Sequence, residues 1–281
     1  MASMTASTTP TMTTTIGSVA SLHRYPVKSM MGEDLNAAYV TQGGLFGDRS
    51  YALCDVETSK VVSAKNPRKW PNLFSYRAAY TTPPSTGSAV PAVRVTAPDG
   101  DIAVSSSPDF APMISAKLGR PVTLLAAPPP QAQLEEYWPD MEELSNRDVV
   151  TDEAMPPGTF FDLAILHLLT TGTLDQLREL NSRSRFEPRR FRPNLIIDTG
   201  DRKGFVESDW IGKVIAIGPE VRIRVDGPCP RCVMTTLSQA DLPKDQGVLK
   251  TAALHNKGQV GAYASVVQTG TVRIGDALTV V

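Results

Sequence analysis

A chain of 281 residues that is 41% apolar can bury a packed core, as one large domain or two small ones. With 28 Lys and Arg against 29 Asp and Glu, its net charge is near zero, so no global field favours nucleic acid or a membrane surface. An anionic ligand must then be met by local placement of basic residues. No run of 18 apolar residues occurs, and residues 1–16 lack the basic start and apolar core of a signal peptide, so a cytoplasmic protein is expected.

Residues 1–16 (MASMTASTTPTMTTTI) have little to bury and are expected to be a disordered tail. From Gly17 the pattern turns strand-like. SVASLHRYPV, LNAAYVT, RSYALCDV, VVSA, LFSYRAAY, AVRVTA and DIAVSS are short, β-branched or aromatic, and set apart by turn residues, which predicts an all-β amino-terminal half. Pro-rich stretches at 81–88 and 126–132 predict loops, the second a linker. Thr173 and Gln176 form a possible capping box, and Leu174, Leu177 and Leu180 follow at near-helical spacing, predicting a helix from Thr173 to about Asn181. NLIID, KVIAIG, VRIRVDG, VMTTLS, AYASVVQ and TVRIGDALTVV continue as strands. The expected fold is α+β, mainly β: a β-rich amino-terminal domain over 17–126 and a carboxy-terminal β-barrel domain over 130–281, with a ligand cleft between them.

Cys54, Cys229 and Cys232 are too few for a secreted disulfide framework and are read as thiols. Cys229-Pro-Arg-Cys232 sits between two expected strands, and several readings stay open. A zinc site needs two more ligands, where only Cys54, His23, His167 and His255 are scattered elsewhere. A redox dithiol wants a helix start, but β-branched residues follow. A single thiolate beside the Arg231 guanidinium could ligate a soft metal, and two buried structural cysteines are the plain alternative.

Four further segments carry candidate ligand groups. Lys28 and Ser29, at a strand-to-turn junction, suit phosphate or another anion. A Gly-rich turn delivers Asp48 and Arg49, as an ion pair or as ligands. Arg192, before Pro193 and Asn194, is expected to be held extended and aimed, while the preceding Arg run suits a solvated face. Thr170, Thr171 and Thr173 at the helix start can meet an anion or simply cap the helix.

Taken in order, YPVKS, G-x-x-x-D-R, the hydroxyl-rich helix start, FRPN, C-x-R-C followed by TT, and G-A-Y-A…G-T-V-R-I-G-D resemble the MOSC proteins with an amino-terminal β-barrel extension. That family includes the mitochondrial amidoxime-reducing component and its bacterial relatives, and the resemblance spans about residues 17–281. It implies a molybdenum cofactor whose metal is held by the pterin dithiolene and by one protein cysteine, here Cys232, the catalytic and metal residue. It implies that Lys28, Ser29, Arg49 and Arg192, with Asn194 beside it, contact the cofactor, and that Arg231 and the Thr170–Thr173 turn help line the site. The implied activity is reduction of N-hydroxylated small molecules (amidoximes, hydroxylamines, hydroxylated purines) to the reduced nitrogen compound and water. Relatives that are self-sufficient with electrons carry a [2Fe–2S] domain after the MOSC domain, and no Cys cluster occurs here, so electrons are expected from a separate ferredoxin or flavoprotein. The alternatives are a sulfur carrier using a Cys232 persulfide, as in the carboxy-terminal domain of molybdenum cofactor sulfurases but without a pyridoxal-phosphate domain, and a non-catalytic binding module.

Overall fold

The computed structural model describes residues 14–142 and 146–281. The first half contains β1 (Thr15–Arg24), β2 (Glu33–Leu35), β3 (Ala37–Thr41), β4 (Gly44–Leu45), β5 (Ala52–Asp55), β6 (Arg77–Tyr80), β7 (Val93–Thr96), β8 (Ile102–Val104), α1 (Phe110–Leu118) and β9 (Val122–Leu125). A hairpin, β10 (Gln133–Trp138) and β11 (Val149–Ala154), precedes the rest: β12 (Leu166–Thr170), α2 (Thr171–Leu180), α3 (Pro188–Phe191), β13 (Leu195–Asp198), β14 (Val214–Ile217), β15 (Val221–Pro230), α4 (Gly247–Asn256), β16 (Gln259–Gln268), β17 (Gly270–Arg273) and β18 (Ala277–Val280).

The sheet order β13-β12-β16-β15-β14-β18-β1 closes on itself because β1 pairs with both β18 and β13, giving a seven-strand barrel with β2 appended to β1. Its strands are antiparallel except β12 and β13, whose parallel pairing needs the crossover that α2 and α3 provide. Inward-facing Leu22, Leu168, Leu195, Ile197, Ile223 and Val225 fill it. A strand from the first residues described thus completes a barrel built otherwise from the second half.

The amino-terminal half has its own core, in which Trp70, Phe74, Tyr76, Val95, Phe110 and Ile114 pack between the β6-β7-β8 sheet and α1. The loop after β15 reaches into this core. Met234 is part of it, and half-buried Cys232 and Leu237 pack against it. The two halves therefore exchange segments, and the seam between them runs through the C-x-R-C loop.

Several expectations are corrected. The amino-terminal half is not all β: Phe110 and Ile114, one turn apart, are buried by α1, which ends at left-handed Gly119. VMTTLS is not a strand but a 3-10 turn over Val233–Thr236. The Thr235 and Thr236 hydroxyls donate back to the carbonyls of Cys232 (3.0 Å) and Val233 (2.8 Å), a local bond that competes with sheet pairing. VVSA keeps only two isolated bridges, both at Val61, to Cys54 and to Leu134. Helix α2 starts at Thr171, and its cap is Thr170, whose hydroxyl accepts from the Thr173 N–H at 3.1 Å. Of the expected tail, residues 1–13 lie outside the described residues, while Thr15 and Ile16 stand in β1. Among the described residues no helix is long and apolar enough to cross a membrane.

Candidate functional site

A cavity of about 300 Å³ opens between the two halves. Lys28 and Ser29 come from the turn after β1, Arg49 from the turn before β5, Arg192 and Asn194 from the α3–β13 junction, and Arg231 and Cys232 from the loop after β15. These segments are far apart in sequence, and the fold brings all seven residues to one wall.

Three of these residues hold left-handed backbones that non-glycine residues seldom adopt: Ser29 (φ 64°), Arg49 (φ 46°) and Arg192 (φ 55°). Such conformations cost on the order of 1–3 kcal/mol each and persist where neighbours enforce them. Arg192 is thus not extended, as its place before Pro193 suggested. It caps α3, with its N–H on the Pro188 carbonyl at 3.2 Å, and its guanidinium donates to the Met30 carbonyl at 2.7 Å. Arg192 and Arg49 both lie over the Tyr25 ring, at 4.1 and 4.6 Å from its centroid, so the aromatic ring holds two cations close together. Burial lowers the Arg192 pKa to about 10, with the like charge of Arg49 adding to the effect. Burial pushes the Tyr25 hydroxyl up to about 12 against the pull of those two cations.

Lys28 is buried, donates to the Phe160 carbonyl at 2.8 Å and pairs with Asp162. Burial would raise the Asp162 pKa, yet Lys28, Lys65 and Arg49 hold its carboxyl well below the usual range. Arg49 pairs with Asp48, whose carboxylate also accepts from the Tyr25 N–H (2.7 Å) and the Asn194 amide (2.9 Å). Asn194 Oδ1 in turn accepts from the His167 N–H at 3.1 Å, so Asn194 braces β12 against the Arg49 turn. The Ser29 hydroxyl accepts from the Ala64 N–H at 3.0 Å.

The two thiols of the C-x-R-C loop have different surroundings. Cys229 is buried at the end of β15, and Arg231 Nη1 donates to its Sγ at 2.6 Å while Nη2 donates to the Phe191 carbonyl at 2.7 Å. The guanidinium that was expected to favour the Cys232 thiolate is therefore aimed at Cys229. For Cys232 burial raises the thiol pKa to about 12, opposed first by Lys65 and reinforced by Glu136. Left to itself, the Cys232 thiol stays protonated at neutral pH, and a soft metal would bind by displacing that proton.

Thr170, Thr171 and Thr173 do not line the cavity. The Thr170 and Thr173 hydroxyls donate to the buried Glu207 carboxylate at 2.7 and 2.6 Å, and Thr171 is within 3.4 Å of Asp198 and Thr199. Glu207 also accepts from the Gly261 N–H at 2.9 Å, so the hydroxyl-rich turn is a brace between α2 and β16. Sequence reasoning missed Lys65, Glu136, Glu153, Asp162, His167 and Tyr263, all on the cavity wall. The basic residue in SAKNPRK was visible, but nothing in its neighbourhood set it apart from a surface lysine.

Whether a phosphate-bearing metal cofactor fits can be judged from this lining. The Arg231 Nε and the His167 Nε2 are buried without a hydrogen-bond partner. Lys28, Arg49, Lys65, Arg190, Arg192 and Arg231 face Glu136, Glu153 and Asp162, an excess of positive charge in a largely neutral chain. Among the described residues no three His, Cys, Asp or Glu come together as a metal site, so a metal here would need ligands brought with it in addition to Cys232. The lining fits an anionic group carrying its own metal ligands.

Comparison with known proteins identifies two domains along the chain. The MOSC N-terminal beta barrel domain matches residues 16–114 and the MOSC domain matches residues 159–279. The mitochondrial amidoxime-reducing component 1 of Mus musculus is 25% identical over 93% of this chain and 81% of its own length. Molybdenum cofactor sulfurase 2 of Culex quinquefasciatus is 40% identical over 82 residues, 28% of this chain, and the molybdenum cofactor sulfurase of Anopheles gambiae is 38% identical over 79 residues, 27% of this chain. The chain spans only 10% of the length of each of these two sulfurases. The crystal structure of the YUAD protein from Bacillus subtilis covers 94% of both chains at 12% identity and a TM-score of 0.48.

Proposed function

The chain is a MOSC-domain protein with the MOSC N-terminal beta barrel attached, and from that premise we propose that it binds a molybdenum–pterin cofactor and reduces N-hydroxylated small molecules. One observation carries this reading: Lys28, Ser29, Arg49 and Arg192 converge with Cys232 on one cavity from distant segments. The amidoxime-reducing component similarity over nearly the whole chain supports the substrate class, with amidoximes, hydroxylamines and hydroxylated purines as candidates. The cytoplasmic setting read from the sequence belongs to the same proposal.

When bound, the cofactor supplies the two-electron chemistry that cleaves an N–O bond, and the protein supplies binding and orientation. Cys232 would give the metal its one protein ligand. Arg49 and Arg192, both held against the Tyr25 ring, and Lys28 beside Asp162 would grip the phosphate and pterin by charge-assisted bonds. Ser29 and Asn194 would hold those groups in place. Reduction of an amidoxime to an amidine and water consumes two electrons and two protons. Lys65 keeps its proton because Asp162, Cys232 and Glu136 outweigh its burial, and burial holds the Tyr263 hydroxyl protonated. Both can donate hydrogen bonds to the departing oxygen.

Three cysteines in the chain are too few for an iron–sulfur cluster of the four-thiolate kind, so the electrons would come from a ferredoxin or flavoprotein. Metal-loaded protein should reduce benzamidoxime with reduced viologen and be inert with NADH or NADPH alone. Turnover with NADH alone would overturn the partner assignment, and none with viologen would overturn the reductase reading. The second reading, a sulfur carrier with a Cys232 persulfide, draws on the local similarity to the sulfurases. It is favoured if Cys232 takes up labelled sulfane sulfur from a small-molecule persulfide, releasing the donor's thiol, and passes it to an acceptor thiol, while the protein reduces no amidoxime.

A further inference from the structure

Part of the cavity wall lies outside both family domains. The matches stop at residue 114 and resume at 159, and the β10–β11 hairpin falls in the interval. Its register sets Leu134 opposite Glu153, Glu136 opposite Thr151 and Trp138 opposite Val149, so these residues share one face. The other face ties the hairpin to the amino-terminal half: Lys60 pairs with Glu135 (3.4 Å) and Asp152 (2.6 Å), and Lys69 with Glu135 (3.2 Å). Glu136, Trp138 and Glu153 on the first face line the cavity.

The two carboxylates of this wall differ. Glu136 is neutralised by Lys65 at 2.8 Å. Glu153 has no ion pair among the described residues. Its Oε1 accepts from the Thr151 hydroxyl at 2.7 Å, and that hydroxyl accepts from the Trp138 indole N–H at 2.9 Å. A chain of two hydrogen bonds thus fixes an uncompensated carboxylate beside an indole, in a cavity whose other carboxylates each have a cation. A carboxylate and an indole that line the same cavity are together complementary to a planar organic cation, by ion pairing and by contact with the ring. Exposed Leu163, also on the cavity wall, extends the apolar surface available to such a group.

We propose that Glu153 and Trp138 are specificity-determining residues that select N-hydroxylated substrates bearing an aromatic ring and a positive charge. The inference rests on the reductase reading above and adds to it which members of the substrate class are taken. The cavity is then divided by sign, with Lys28, Arg49 and Arg192 at the part that meets an anionic cofactor and Glu153 at the part that meets the substrate.

The test compares benzamidoxime carrying a para-aminomethyl group with benzamidoxime carrying a para-carboxylate, on the holoprotein with reduced viologen. Wild type should favour the cationic compound by about tenfold or more in kcat/KM, and Glu153→Gln should reduce that preference to near unity. Equal use of the two compounds by wild type, or a preference that Glu153→Gln leaves intact, overturns the proposal. Binding of benzamidinium, read by tryptophan fluorescence, gives an answer that does not depend on turnover. Trp70 and Trp210 are buried and Trp138 is partly exposed, so the signal should report the hairpin and vanish in Trp138→Phe. Benzamidinium should quench wild type more than benzoate does, and about tenfold more weakly bound benzamidinium is expected for Glu153→Gln. If benzamidoxime itself is not reduced while benzamidinium binds in this way, the reductase reading fails and the cation site stands. If benzamidinium does not bind, the cation site fails.

Discussion

Cys229 and Cys232 are separated by two residues and belong to different parts of the molecule. Cys229 ends a barrel strand and is held by Arg231, whereas Cys232 has left the barrel and packs half-buried against the amino-terminal core, under the influence of Lys65 and Glu136. The C-x-x-C spacing therefore marks a crossing point between two halves rather than a pair of equivalent thiols. Both thiols border the cavity, but Cys229 is tied to Arg231 of its own loop, whereas Cys232 lies among groups that come from elsewhere.

The sharpest way to break this comparison is to remove each thiol in turn. Cys232→Ala should lose turnover to background, while Cys229→Ala should stay within roughly tenfold of wild type, the range of a change next to a ligand rather than at one. Turnover and molybdenum content of the purified variants check both. Full activity in loaded Cys232→Ala protein would falsify the metal assignment.

The cationic wall comes next in expected effect. Lys28→Ala, Arg49→Ala and Arg192→Ala each remove charge-assisted contacts worth roughly 1.5–3 kcal/mol, so cofactor affinity should fall on the order of tenfold or more in each. Pterin content after gel filtration measures this, with circular dichroism as the control for folding. Unchanged pterin content in all three would separate these residues from the cofactor.

The smallest expected effect concerns pH. Burial holds the His167 imidazole down at about 3, against about 6.5 in an unfolded chain. The unfolded chain therefore takes up the extra proton, so the stability linked to neutral His167 is complete above about pH 6.5 and is lost as the pH falls towards 3, by about 1.4 kcal/mol per unit. Denaturant unfolding at pH 7.5, 6 and 5 should show that slope in wild type and a shallower one in His167→Gln. Equal slopes would mean that the imidazole is reached by water in the folded protein.

Much of the architecture was readable before the structure, because barrel strands such as VRIRVDG and AYASVVQ are hydrophobic on alternate positions and end at turn residues. The converging cations were also readable, through the order of their motifs. The hairpin was not, since QLEEYW and VVTDEA carry charges on both faces and each face finds lysines to pair with, which erases the usual alternation. The threonines at the start of α2 were misassigned for a related reason. Their partner, Glu207, lies more than 30 residues away, and no local pattern distinguishes hydroxyls aimed at a buried carboxylate from hydroxyls awaiting an anion. Helix α1 escaped because only Phe110 and Ile114 mark its buried side.

The closure of the barrel by β1 has a consequence for how the protein is made. The strand that begins at Thr15 is synthesised early, yet its partners β13 and β18 come late, β18 ending at Val280. Contacts of such long sequence separation form slowly, because loop closure must be met before they contribute. On a ribosome the amino-terminal core can assemble first, while β1 waits without its neighbours. A recombinant fragment starting near residue 130 would lack the seam strand altogether and leave β13 and β18 with open edges prone to self-association.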